Sequence, residues 1–312
     1  MNLSLFDDGE ESFQDRLRPR LTELAQRGIF IGTSSWKYAG WLGQIYSPER
    51  YATRGRFSRT RFEAECLREY AETFPTVCGD FAFYQFPAPA FWAKLFEAVP
   101  AEFQFSFKIP EQITVQRFPT HTRYGVNAGM MNADFLNVHM LTALFCELLL
   151  PYRSQVGALI FEFGAFSKDL MPSPETFVEL LDPFLAALPG EFRYAVEIRN
   201  PDFLTPQYFA CLTRHRVAHV FNSWTRMPGI DRQILLPQAF TADFTVVRAL
   251  LKPGRAYEDA VARFAPYHQV QEEHPEIRAA LKDLLTKGKR GFFYVNNRLE
   301  GNAPKTIESI LE

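Results

Sequence analysis

From Ile29 onward, short runs of apolar and aromatic residues alternate with longer amphipathic stretches. The short runs are IFIGTSSW (29–36), VCGDFAFY (77–84), FQFSFKI (103–109), GALIFEF (157–163), FRYAVEI (192–198), VAHVFNS (217–223), DFTVVRA (243–249) and GFFYVNN (291–297). They are rich in Phe, Val, Ile and Tyr and mostly bounded by Pro, Gly or Asn, which predicts strands. The stretches between them predict helices over 58–73, 89–98, 133–150, 174–188, 206–215, 257–287 and 302–311, with only a short or broken helix in 224–242.

Strands alternating with helices imply βαβ units and a parallel sheet. Eight such units closed by a helix predict an α/β fold, a TIM-type (β/α)8 barrel with parallel strands, as a single domain over 29–312. Residues 1–28 read as a short N-terminal extension carrying one helix, 13–27, ended by Gly28. A doubly wound dinucleotide fold would place a GxGxxG turn after the first strand. The chain instead reads Gly32-Thr33-Ser34-Ser35-Trp36, with an indole where that helix would start.

Composition narrows the function classes. Of 312 residues, 34 are Lys or Arg and 36 are Asp or Glu, a net charge of −2, which weighs against a globally basic nucleic-acid binder. The 31 Phe within a 15% aromatic share demand a large core or an aromatic-lined cleft. The first twenty residues lack the basic and apolar regions of a signal peptide. No apolar run approaches the roughly 20 residues a membrane helix needs; the best, 141–150, is broken by Cys146-Glu147 and stopped by Pro151. Cys66, Cys78, Cys146 and Cys211 are scattered without a CxxC pair, so reduced thiols in a cytoplasmic protein are expected. His121, His139, His215, His219, His268 and His274 form no metal motif, and no metal or cofactor is expected.

Chemistry in a barrel sits at the C-terminal ends of the strands. There the chain places Ser34, Ser35 and Trp36; Asp80 and Tyr84; Lys108; Glu162; Glu197, Arg199 and Asn200; Asn222 and Trp224; Arg248 and Lys252; and Asn296 and Asn297. Side-chain alternation in FRYAVEIRN turns Glu197 and Arg199 to the face opposite Tyr194, Val196 and Ile198, so both aim into the mouth. The same period in FQFSFK turns the Phe residues out and Ser106 and Lys108 in. Glu162 between Phe161 and Phe163 needs a partner, because an unpaired buried charge is costly. A strand-end Glu–Arg pair also occurs as a plain stabilising ion pair, and a strand-end lysine can simply snorkel to the surface. After the last strand, Gly301, Asn302 as an N-cap and Pro304 suggest an anion-binding pocket at a helix N-terminus; an ordinary capped helix has the same signature.

Taken together, GTSSW, YSPER, the FPTV…FY strand, FQFSFKIP, AVEIRNPDF and YVNNRLEGNAPKT resemble the YecE-like family, domain of unknown function 72, from about Ile31 to Thr306. The resemblance implies a TIM-type barrel in a cytoplasmic bacterial or archaeal protein and no agreed activity. The chain departs from the family's pattern at CGDFAFY, at Glu162 where a Gln is usual, at Asn222 where an Asp is usual, and at RALLKPG where RLHG is common.

Three functions are open to this sequence. The first is an enzyme acting on a phosphorylated or polyhydroxylated small substrate at the barrel mouth. Glu197, Lys108 and Glu162 would be its catalytic candidates. Trp36, Tyr84, Arg199, Asn200, Asn222, Arg248, Asn296, Asn297, Gly301 and Asn302 would bind substrate. The second is a nucleic-acid-associated protein using Arg199, Arg226, Arg248, Lys252 and Arg255 on phosphates and Trp36, Tyr84 and Trp224 on bases. The third is a non-catalytic protein that uses the mouth as a receptor. No membrane partner is expected, and the oligomeric state stays open.

Overall fold

A computed structural model describes residues 11–312, so residues 1–10 of the extension lie outside the described residues. Eight parallel strands close into a barrel: β1 (Ile29–Thr33), β2 (Thr76–Gly79), β3 (Gln104–Lys108), β4 (Val156–Phe163), β5 (Tyr194–Ile198), β6 (Ala218–Ser223), β7 (Thr245–Ala249) and β8 (Gly291–Val295). Each strand pairs with its sequence neighbours. Closure runs through β1 against β8 (Ile29 opposite Gly291 through Thr33 opposite Val295) and β1 against β2 at Thr33 and Val77. The TIM-type (β/α)8 architecture predicted from the alternation is therefore the fold.

The strand period of two divides the core. Outward residues such as Phe105, Phe107, Phe161, Phe163, Val196 and Ile198 join the layer between barrel and helices. Inward residues form a smaller interior of Ala158, Ile160, Ala195, Ala218, Val220, Val246, Phe292 and Tyr294. Three alanines on adjacent strands leave room for the Phe292 and Tyr294 rings. The Tyr294 hydroxyl donates to Ser106 Oγ at 2.6 Å, so the one deep phenol is paired.

The surrounding helices are α1 (Phe13–Gln26), α2 (Arg59–Thr73), α3 (Pro89–Glu97), α4 (138–149), α5 (Pro174–Ala186), α6 (Pro206–Arg214), α7 (Tyr257–Phe264), α8 (Pro275–Thr286) and α9 (Ala303–Leu311). Ser12 caps α1 through the amide of Asp15, and Leu17 and Leu21 are buried in the common core. Gly28 leaves α1 in the left-handed conformation at φ +79°, as its position predicts.

Three expectations need correction. The helix expected over 257–287 is two helices, because Pro266 lacks an N–H and Pro275 starts α8 afresh. The second strand stops at Gly79; the amide of Phe83 bonds back to the Asp80 carbonyl at 3.0 Å, turning the chain before Tyr84. The helix expected over 133–150 starts only at Val138, capped by Asn137, and includes a π-helical stretch over Thr142–Cys146. A two-residue hairpin pairs Ala52–Thr53 with Arg56–Phe57; its turn puts Arg54 and Gly55 both at positive φ, the geometry that matches strand twist. The short helix expected within 224–242 is Ile230–Gln233. No helix among the described residues is long and apolar enough to cross a membrane.

Candidate functional site

Two residues beyond each inward-facing interior residue, the strand period turns another side chain inward at the C-terminal end. This rule selects Ser34 after β1, Asp80 after β2, Lys108 on β3, Glu162 on β4, Glu197 on β5, Asn222 on β6, Arg248 on β7 and Asn296 after β8. All eight are polar, so the apolar interior is roofed by a ring of hydrogen-bonding groups.

Register decides which of them meet. Glu162 and Glu197 are direct cross-strand partners, two carboxylates side by side in a buried layer. Like charges so placed repel unless cations separate them. Three cations do. Glu162 Oε2 receives Arg248 Nη1 at 2.7 Å, Arg199 Nη2 at 2.9 Å and Lys108 Nζ at 3.1 Å. Glu197 is 0% exposed; Arg199 reaches its Oε1 at 3.2 Å and Arg248 Nη1 donates to its Oε2. Burial pushes the Glu162 carboxyl up, but the charges of Arg199, Lys108 and Arg248 outweigh it and hold the group far below the usual carboxylate range. Burial alone would ease the proton off Arg248; the Glu197 and Glu162 carboxylates, with Asp80 further off, reverse this and keep it a cation. The Cys78 thiol beneath is pushed up to about 12, mainly by burial, and so is neutral.

Asp80 completes the ring and differs from the other carboxylates. Its Oδ1 stands 3.6 Å from Lys108 Nζ and 3.9 Å from Arg248 Nη2, within charge range but making no hydrogen bond, and its side chain is 43% exposed. Ser34 Oγ, Asn222 Oδ1 and Arg248 Nε are likewise buried without a hydrogen-bond partner. Unpaired donors and acceptors thus converge at one end of the barrel, where buried polar atoms are ordinarily satisfied. Aromatic faces flank the ring: Phe83 lies 3.6 Å beneath Lys108 Nζ, and the Arg199 guanidinium stacks 3.8 Å from the Trp224 ring.

The sequence-selected residues divide clearly. Lys108, Glu162, Glu197, Arg199, Arg248 and Asn222 are brought together, and buried Trp36 stands beside them on the β1 side, edge-on to Phe81 at 5.8 Å. Tyr84 is not; it is 57% exposed in the loop after β2, with Arg123 stacked 4.5 Å from its ring. Asn200 spends both ends of its amide on the backbone of Phe166, at 2.7 and 3.2 Å. Asn296 caps the short helix that follows through the amide of Arg298 at 2.9 Å.

The turn offered as an anion pocket is closed. Asn297 accepts from the amide of Ala303 at 2.8 Å, Asn302 accepts from that of Lys305 at 2.9 Å, and Pro304 has no N–H. Every first-turn donor of α9 is therefore spent or missing. Gly301, at φ +112°, lies so close to the Gln269 carbonyl that a Cβ would come within 2.6 Å of its oxygen. Of the five cations offered to nucleic-acid phosphates, four are already paired: Arg199 and Arg248 in the ring, and Lys252 and Arg255 on Glu272 at 2.9 and 2.7 Å.

Asp80 stands among the strand-end polar residues but outside the catalytic and substrate-binding candidates read from the sequence. The signal was its place two residues after Cys78, but the run VCGDFAFY does not reveal where the strand stops. Elsewhere, Asp182, Cys211 and His215 bring metal-ligating atom types within 4.8 Å of one another. Arg214 Nη1 already takes both Asp182 oxygens at 2.8 Å, His215 Nε2 pairs with Asp182 Oδ1 at 2.6 Å, and burial pushes the Cys211 thiol up to about 12, so the three groups are bonded to one another and to Arg214.

Comparison with known proteins agrees with this architecture. The family described as "Protein of unknown function DUF72" matches residues 30–312. The chain is 26% identical over 268 residues to the UPF0759 protein YecE of Escherichia coli strain K12, covering 85% of this chain and 78% of that protein. It is similar in fold to a DUF72 family protein of Enterococcus faecalis V583, with a TM-score of 0.58, 18% identity and coverage of 91% and 95% of the two chains. A DUF72 family protein of Thermotoga maritima MSB8 also gives a TM-score of 0.58, at 17% identity and coverage of 91% and 96%. The chain belongs to the DUF72 family.

Proposed function

We propose that this member of the DUF72 family is an enzyme that carries out proton transfer on a small polyhydroxylated substrate at the barrel mouth, with Asp80 as the acid–base group. The observation that carries this reading is Asp80 Oδ1, unbonded 3.6 Å from Lys108 Nζ. A carboxylate held next to a cation, with its side chain partly exposed and its inner oxygen lacking a fixed hydrogen-bond donor, has what a general base needs. Lys108 and Arg199 are positioned to stabilise an oxygen that gains negative charge as the proton leaves.

Glu197 takes a positioning role instead. Its oxygens are occupied by Arg199 and Arg248 and it has no exposed surface, so it cannot meet a substrate proton. Substrate class follows from the balance of charge. Three cations face three carboxylates in the ring, so there is no surplus positive charge for a phosphate dianion. Orphaned acceptors on Asp80, Asn222 and Ser34 beside cationic donors instead match hydroxyl groups, which both give and accept hydrogen bonds. Four unpaired, buried thiols fit a reducing compartment, and we place the protein in the cytoplasm.

The test is proton NMR in D2O with aldoses, ketoses and polyhydroxy acids. Exchange of a carbon-bound proton for deuterium in the presence of the protein, lost in Asp80→Asn, supports the reading. No exchange with any of these compounds, or exchange that persists in the variant, overturns it.

A further inference from the structure

Asp80 faces a second feature. A cavity of about 330 Å³ opens beside the ring between α2 and α3, and Asp80 is part of its wall. The rest of that wall is mainly apolar: Trp36, Leu67, Phe81, Phe91 and Leu95, with Ala64 of α2 opposite. Gly79 makes it possible, because any Cβ there would come within 2.3 Å of the Phe81 ring, which folds back over the strand end to form the wall. Phe81 meets Trp36 edge-on at 5.8 Å and Phe91 at 5.0 Å, so three rings form a continuous surface. Phe91 remains 39% exposed.

We infer that this cavity holds an aromatic substituent of the substrate whose hydroxylated part occupies the charged ring. The inference rests on the proposed function for the hydroxylated part and adds the substrate class: a polyol bearing an aryl group. The volume lies at the small end of ligand pockets and suits one ring system rather than a chain of sugars. The walls are aromatic edges and faces, which attract another ring beyond simple burial. Asp80 belongs both to the cavity and to the ring, so a ligand seated in one places its next atoms against the other.

Three probes separate the two halves: phenol for the cavity, methyl β-D-glucopyranoside for the ring, and phenyl β-D-glucopyranoside for both. Binding is measured by calorimetry and by saturation-transfer NMR. The phenyl glycoside is expected to bind about tenfold more tightly than the methyl glycoside, the gain for burying one ring. Ala64→Phe fills the cavity from an exposed helix position. It should abolish phenol binding and the phenyl advantage while leaving the methyl glycoside unchanged. Phe91→Ala, also at an exposed position, should weaken only the phenyl-bearing probes. Equal binding of the two glycosides, or phenol binding that survives Ala64→Phe, overturns the inference. A failure of the ring reading shows differently: phenol still binds and responds to Ala64→Phe, but Lys108→Met and Asp80→Asn leave every probe unaffected.

Discussion

Arg248 Nη1 donates to Glu162 Oε2 at 2.7 Å, joining β7 to β4 across the barrel between residues 86 positions apart in the chain. The same nitrogen serves Glu197, so one guanidinium separates two carboxylates that the sheet register forces together. Replacing Arg248 with Met removes one of the two guanidiniums that bridge the carboxylates and leaves the buried Glu197 Oε2 without its donor, with Arg199 alone between the two anions. A loss of about 3–5 kcal/mol is expected, the usual cost of orphaning a buried ion pair. Adding Glu162→Gln to the variant should return part of it. Urea unfolding of the single and double variants measures both.

Asp80 and Glu197 should behave in opposite ways. Asp80→Asn is expected to lower turnover by about a hundredfold or more, the typical contribution of a general base, with an unchanged melting temperature, since Asp80 Oδ1 makes no hydrogen bond. Glu197→Gln is expected to lower the melting temperature first, because Arg199 and Arg248 both lean on it. Turnover and thermal melts on both variants would show it; a Glu197→Gln protein that is fully stable and inactive would return the base role to Glu197.

His219 gives the fold a pH dependence of its own. It is buried against Tyr208, Phe209 and Phe221, and burial pushes its imidazole down to about 4 from the usual 6.5. The unfolded chain therefore takes up a proton between pH 6.5 and 4 that the folded chain refuses. Stability is full above 6.5 and falls as the pH drops toward 4. At pH 5 the loss from this group is about 2 kcal/mol. Denaturation midpoints at pH 7 and pH 5 should converge in His219→Gln relative to the parent protein.

Gly301→Ala tests the closed turn after β8. At φ +112°, with the Gln269 carbonyl 2.6 Å from the place a Cβ would take, the substitution should cost about 2 kcal/mol or more. Phosphate should give neither the parent nor the variant any thermal shift attributable to this turn, because its amides are already bonded.

Much of the barrel was legible because strands and helices leave different periods. All eight strands were marked by runs of Phe, Val, Ile and Tyr, and Glu197, Arg199 and Lys108 could be turned into the mouth by alternation alone. Tyr84 was misplaced because nothing in VCGDFAFY marks Gly79 as the end of the strand; the turn is made by a backbone bond from Phe83 to Asp80. Asn302 and Gly301 read equally as an anion site and as a plain cap, and only the bonds made by Asn297 and Asn302 choose the cap.

The one-dimensional pattern determined the barrel, the inward set of polar residues and the strands that carry them, because those depend on local period and strand order. It could not say which charges neutralise which. Arg248 pairs with Glu162 and Glu197, and Asp80 stays unbonded, because of register and distance between segments far apart in the chain. Tertiary closure alone decided that Glu197 is enclosed, that Asp80 is the accessible carboxylate, and that an aromatic cavity opens beside it. The phenylalanines follow the same division: their number foretold a large core, and packing alone set Phe81 and Phe91 at the wall of a cavity.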